Sequence, residues 1–491
     1  GDPDSTTINC AYAGRGFIFS SGEDSTAVVA GVTITNGYLI YEGNGAGIYC
    51  YQSSPQVHSC IVRGNVAAGV GGGVYLQESS SWITECTVRE NVSGGAAGGV
   101  YLRDWSGRIE TCNISHNSAT DDGGGVYVSS SSPTFYSTVV DSNSSGDNGG
   151  GVYIISSIGA LEDCTLLGNT TTYSGGGLYC NGSSLEMVNC DIAQNSGNIN
   201  GGGVLITGSE MISMTHCRLG GNSANAGYGG GVYVFGGELE IVSCGFFGNS
   251  AADGADLYSE GDPLLVAQST LYGGTSTNGG SISLYNSNPT IHNTIIAFAT
   301  QGRGLNCGSS STPTLYCTDI YGNAGGDWDE PCIEFQAGYG GNISLDPLFC
   351  DAENGDFTLR SDSPCAPFSP PNEVCDLIGA WPVGCQPSTV DGAPESHGPH
   401  LLSGRPNPFL GSTKIRFDLP REGGSGTVRL EIFDSAGRLV RRLIDGQGSA
   451  GIRVVTWDGT NATGETVAAG TYFSRLKWHG GSETRPLILL R

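Results

Sequence analysis

From residue 45 to residue 260 the chain sets short apolar triplets between runs of Gly, Ser and Asn, and repeats this arrangement at a fixed interval. The phrase GGGVY, or a close variant, recurs with its aromatic position at Tyr49, Tyr75, Tyr101, Tyr127, Tyr153, Tyr179, Leu205, Tyr233 and Tyr258. The first seven are 26 residues apart, and the last two steps are 28 and 25. A second phrase, Cys-x-(Ile/Val/Leu)-x-x-Asn, runs in phase with it. It begins at Cys60, Cys86, Cys112, Thr138, Cys164, Cys190, Cys217 and Cys244, and ends at Asn65, Asn91, Asn117, Asn143, Asn169, Asn195, Asn222 and Asn249. Two ladders sharing one period mark a repeat architecture.

The content of each repeat selects the architecture. A leucine-rich consensus is missing, and a Gly triplet in every unit is incompatible with helical repeats. Each unit instead holds short β-branched pieces, such as Val74–Leu76, Ile83 and Cys86–Val88, separated by Gly or Ser/Asn turns. Three short strands per turn of a coil predict a parallel β-helix with about 26 residues per coil. Within Val-Tyr-Leu the flanking residues share the inner face, so the tyrosines should form an outward row. With coils ~4.8 Å apart, neighbouring rings can stack. The Gly triplet is expected to supply φ > 0 at one corner. At another, Asn is expected in the left-handed region, its side chain bonding the next Asn along the stack. The in-register cysteines point the same way at ~4.8 Å, so buried thiols rather than disulfides are expected.

Charge divides the chain. Residues 1–385 carry 8 Arg, no Lys and 37 acidic residues, a net of −29, whereas residues 386–491 carry 13 basic and 10 acidic residues, a net of +3. A body this acidic repels phosphate backbones, which excludes nucleic acid as a partner class. No apolar run approaches the ~18 residues needed to span a membrane. Seventeen cysteines point to an oxidising compartment, extracellular or on the cell surface.

The repeat region resembles a bacterial family of secreted right-handed β-helix repeat proteins, with Gly14–Gly37 similar to its opening coils. The handedness expected here rests on that resemblance. Such proteins carry further coils and an amphipathic capping helix ahead of this point, whereas this chain opens at GDPDSTTINC, so a coil edge open to pairing with another chain is expected. Weaker repeats continue through 250–345, and residues 346–385 resemble the family's closing segment. Cys350, Cys365, Cys375 and Cys385 lie off the ladder there and are expected to form disulfides, 350–365 with 375–385 being one of three connectivities. Residues 386–400 read as a Pro/Ser/Gly-rich linker. Residues 401–491 hold short alternating strands, from RPNPFLGSTKIRFDLP to AGTYFSRLKW, and predict a small β-sandwich. This resembles the C-terminal sorting domains of type IX secretion cargo and the immunoglobulin-like domain of flagellar hook-capping proteins. That implies export or surface attachment rather than catalysis.

Candidate chemistry is sparse. Lyases of this fold commonly use a Lys or Arg base, often with Ca²⁺, yet residues 1–385 hold no Lys and their arginines repeat no single position. Asp121–Asp122 and Asp253 with Asp256 are the carboxylate pairs to weigh for glycosidase chemistry. Both precede Gly-rich corners, where acidic turn formers are ordinary. Asp327, Asp329 and Glu330 around Trp328 form the one cluster suited to Ca²⁺ or a sugar. The Gly-rich Ca²⁺ nonapeptide is absent, and His58, His116 and His216 share no metal-ligand spacing, so no cofactor or metal is assigned. The binding candidates are Tyr75, Tyr101, Tyr127, Tyr153, Tyr179, Tyr233 and Trp328. The expected function is a surface structural or adhesive protein that associates with itself or with a surface glycan. The alternatives are a carbohydrate-active enzyme and a non-catalytic glycan-binding protein.

Overall fold

The structure is a computed structural model that describes residues 3, 5–41, 43–261, 263–308, 310–386, 400–401, 407, 409–419, 427–435, 437–447, 451–478 and 481–490. It divides into two compact units, Gly1–Pro387 and Ser388–Arg491. Apart from Gln386 and His400, the linker expected over 386–400 lies outside the described residues.

The first unit is a parallel β-solenoid built from sheets of 21, 12 and 13 strands. One coil shows the plan. Val74–Ser79 belongs to the first sheet, Trp82–Thr84 to the second and Thr87–Arg89 to the third. A fourth strand of two residues, Val92–Ser93, returns the chain to the first sheet. That piece is too short to register as a strand in the sequence. Equivalent residues pair in register from coil to coil, Tyr75 with Tyr49 and Tyr101, and Ile83 with Val57 and Ile109. The interior is a single column of Val, Ile, Leu and Cys closed to solvent.

The three glycines of each triplet serve two purposes. Gly71 lies at φ 68°, in the left-handed region. Gly72 and Gly73 give room: a Cβ on Gly72 would stand 2.5 Å from the Val92 carbonyl oxygen, and one on Gly73 2.8 Å from that of Gly99. Asn does not take the left-handed corner expected for it. The residue just before it does, as at Glu90, His116, Ser142 and Gln194. This frees the Asn side chain to turn inward. Asn91 Nδ2 donates to the Val62 carbonyl (2.9 Å) and to Asn117 Oδ1 (3.0 Å), while the Asn91 backbone N–H donates to the same Oδ1 (3.0 Å). The pattern runs from Asn65 to Asn249 with every ladder Asn buried.

The ladder cysteines are thiols. The N–H of Cys60 donates to Cys86 Sγ (3.4 Å), and Cys86 Sγ donates to the Thr84 carbonyl (3.2 Å). Thr138 fills the same place with its hydroxyl, accepting from the Cys112 N–H at 3.4 Å.

After the last coil the chain closes the C-terminal end of the solenoid. Ile333 is buried against the core, and the Gln336 side chain stands in for a further strand by accepting the Leu315 N–H and donating to the Pro313 carbonyl. The segment 346–385 then folds back onto the outer face of the third sheet. The Gly379 N–H donates to the Asn293 carbonyl (2.8 Å), Phe357 stacks on Phe247, and Arg218 lies over the rings of Phe247 and Trp381. This changes the expected disulfides. Cys350 pairs with Cys385 across a three-stranded sheet, Cys375 pairs with Cys317, and Cys307 pairs with Cys332, while Cys365 is a buried thiol. Near neighbours in sequence are parted because the segment packs back on earlier coils, and that packing brings Cys375 to the last coil.

In the second unit a three-stranded sheet contains Thr413–Leu419 and Gly451–Trp457. A five-stranded sheet contains Thr427–Asp434, Leu439–Gln447, Gly470–Trp478 and Gly481–Leu490. Trp457 sits at the centre of its core, edge-on to Phe409 (5.5 Å) and Tyr472 (5.0 Å).

Two outcomes follow for this fold. Asn117→Ala orphans the Asn91 N–H and the Val88 carbonyl and should lower stability by about 2–4 kcal/mol. Cys112→Thr, which copies position 138, should cost far less; urea unfolding midpoints compare the two. Of the eleven thiols, only Cys10 is partly exposed, so alkylation of the native protein should modify one cysteine, and in denaturant, without reductant, all eleven.

Candidate functional site

Six successive tyrosines, Tyr49 to Tyr179, project from the first sheet with ring centroids 5.0–5.2 Å apart and planes within 15° of parallel. The guanidinium of Arg15 covers the open face of the first ring at 4.8 Å. The outward row is therefore present, but it is not an open platform. Tyr75 is only 6 % exposed and Tyr153 7 %, because each ring's faces lie against its neighbours. Burial, with neighbouring tyrosines adding to it, pushes the Tyr75 hydroxyl up to about 12. What the row offers outward is ring edges and hydroxyls, some already bonded: Tyr75 Oη donates to Gln77, and Tyr233 Oη to Glu260 (3.1 Å). Leu205 interrupts the row. Beyond it Tyr233 and Tyr258 resume at 5.5 Å, and Tyr228, the last residue of the strand Ser223–Tyr228, stacks on Tyr258 at 4.6 Å.

The acidic candidates are taken up by the fold. Trp328 packs partly buried against the core and donates its indole N–H to the Ile343 carbonyl (3.0 Å), so it is not a free binding ring. Asp327 accepts the backbone N–H groups of Gly322 and Asn323 and the Asn323 side chain. Asp329 and Glu330 both pair with Arg303, at 2.7 and 3.0 Å. Asp122 Oδ1 accepts the Asn148 N–H (2.9 Å), and burial raises its carboxyl above the ordinary range. Asp256 is fully buried where the Asn ladder ends, its Oδ1 accepting from Asn249 Nδ2 at 2.8 Å. It occupies the third glycine position of its triplet. Gly274, which replaces the next ladder Asn, makes room for it, since a Cβ there would lie 2.8 Å from Asp256 Oδ2. Asp253 is half-buried, its Oδ1 closed off from solvent against Gly279, and burial raises its carboxyl above the ordinary range. Among the described residues no group of three or more His, Cys, Asp or Glu side chains is placed to hold a metal ion.

Two features escape a reading of the sequence. One is a buried pair between the last coil and the closing segment: Cys365 Sγ donates to Asp319 Oδ2 at 3.2 Å, and the Leu345 N–H donates to Oδ1 at 3.1 Å. Nothing local in sequence marks it, because 46 residues separate the partners. The other is a group of exposed apolar side chains beside the interruption in the tyrosine row: Tyr173 (51 %), Ile199 (40 %), Tyr228 (42 %) and Phe235 (49 %). Its signal lay in the repeat register. Positions equivalent to Tyr173 in the two preceding coils are Asp121 and Asp147, and the next coil pairs Asp253 with Tyr228.

Residues 72–246 match the family model of the right-handed β-helix region, and residues 405–479 match that of the FlgD Ig-like domain. No curated protein and no solved structure matches the chain. The chain is thus a right-handed β-helix repeat protein with an immunoglobulin-like domain toward its C-terminus.

Burial lifts the Asp319 carboxyl from an ordinary 3.8 to about 7 and that of Asp256 to about 6. The folded chain thus holds these protons more tightly than the unfolded chain does. Their stabilisation is complete below pH 3.8 and is lost as pH rises through 6 and 7. The urea midpoint should fall between pH 4 and pH 8, and Asp319→Asn should flatten the upper part of that fall.

Proposed function

We propose that the protein is an extracellular structural or adhesive surface protein whose solenoid is a non-catalytic scaffold. The observation that carries this reading is the use made of the carboxylates. Acid–base chemistry needs groups aimed at a substrate, whereas Asp256 and Asp327 cap asparagines at coil ends and Asp329 and Glu330 clamp Arg303. Three disulfides around the closing segment fit an oxidising compartment. Among the described residues no helix is long and apolar enough to cross a membrane. The Ig-like domain is the module for attachment or assembly, and self-association into a filament or layer belongs to the same reading.

A carbohydrate-active reading would rest on Asp122, the half-buried carboxyl beside Tyr127, Tyr153 and Tyr179. Incubation with acidic and neutral polysaccharides should release neither reducing ends nor unsaturated products. Turnover that Asp122→Asn abolishes would replace the scaffold reading with that one. Electron microscopy of the native protein should show rods or their assemblies.

A further inference from the structure

A solenoid contains its own comparison, because each outward position recurs in every coil. In the two positions just before the Gly corner, coils before and after the interruption carry Asp121, Asp122, Asp147 and Asp253. Between them, residues 172–181, 198–207 and 225–235 hold no charged residue, in a unit of net charge −29. The fold does not require this, since aspartate occupies the same positions elsewhere. Folding alone would not put Tyr173 and Ile199 in water, where they are 51 % and 40 % exposed, and Tyr228, although stacked on Tyr258, still leaves 42 % of its surface exposed. The stretch between the ladder Asn and the Gly corner, here the strand Ser223–Tyr228, is one residue longer than its predecessors, and the register shifts there.

We propose that this uncharged aromatic patch, centred on Tyr173, Ile199 and Tyr228 with Phe235 beside it, binds an uncharged polysaccharide; the proposal rests on the adhesive reading above and names its ligand. Tyr173 offers its ring to solvent, unlike the stacked tyrosines of the row, and so can pack against the C–H face of a sugar. Tyr228 lies two coils away, about 10 Å along the axis, so an extended chain can engage both. Exposed Asn198 and the half-buried Asn181 and Asn200 border the rings with amide donors and acceptors for hydroxyls. The surface is open rather than a cleft, which suits a polymer strand over a small solute. An anionic polysaccharide would meet Asp147, Asp253 and the field of the whole unit.

The test uses the full chain and two variants. Tyr173→Asp with Tyr228→Asp introduces residues that neighbouring coils already carry at these positions, so the fold is retained, as circular dichroism would verify. Trp82→Ala removes an exposed aromatic from a different sheet. Adsorption to cellulose, chitin and 1,3-β-glucan, and affinity electrophoresis in xyloglucan, glucomannan and polygalacturonate, supply the ligands. An uncharged polysaccharide should bind, the double variant should bind it at least tenfold more weakly, and Trp82→Ala should bind as the parent does. Retention on polygalacturonate alone, no retention at all, or equal retention by the double variant overturns the proposal. So does concentration-dependent self-association that the double variant loses without any glycan binding, which would make the patch an interface between copies. Release of sugar from a bound polymer would instead refute the scaffold reading and leave the binding site standing.

Discussion

The solenoid depends on satisfying buried polar groups at the corner where the third sheet turns into the first. There the chain must bend with its backbone sealed from water, and each unpaired N–H or carbonyl would cost as much as a lost hydrogen bond or more. One asparagine per coil meets the demand by bonding upward, downward and across. Because its partner is its own copy in the next coil, the solution works only if the corner recurs in register, and it holds across the 27-residue steps from Asn195 to Asn222 and Asn249 as well as across those of 26. The tyrosine and cysteine ladders fall into register with it. Where the asparagine is absent, at Gly274, an aspartate from the preceding coil takes over its bond.

The same regularity shapes what the surface can do. Tyrosines held one coil apart stack on each other and spend their faces doing so, which makes the row a stiffener more than a platform. Binding chemistry must then come from departures from the repeat: the interruption at Leu205, the lengthened stretch that ends at Tyr228 and the loss of charge around them. Carboxylates that looked like a site from their clustering around Trp328 are departures of another kind, the means by which the stack is brought to an end.

How much was legible varied with the range of the interaction. The parallel β-helix, its period, the outward tyrosines, the inward thiols and the Asn–Asn bonds follow from spacing, because in a repeat the contact partner sits at a known offset. The left-handed corner falls on the residue before Asn and not on Asn itself. Asn tolerates that conformation, but its side chain is needed inward, and only the closed coil shows this.

The architecture of both units follows from residue spacing, since a period repeated eight times over-determines the strand register and an alternating pattern with turn signals defines a sandwich. The ends and the exceptions depend on contacts that form only in the folded chain. The fold-back of residues 346–385 over the third sheet sets the pair Cys317–Cys375 and leaves Cys365 against Asp319, the small sheet within that segment sets Cys350–Cys385, and contacts with Asn323 and Ile343 make Asp327 and Trp328 parts of the cap. These contacts join residues at separations that no period repeats, so their geometry exists only once the coils are stacked.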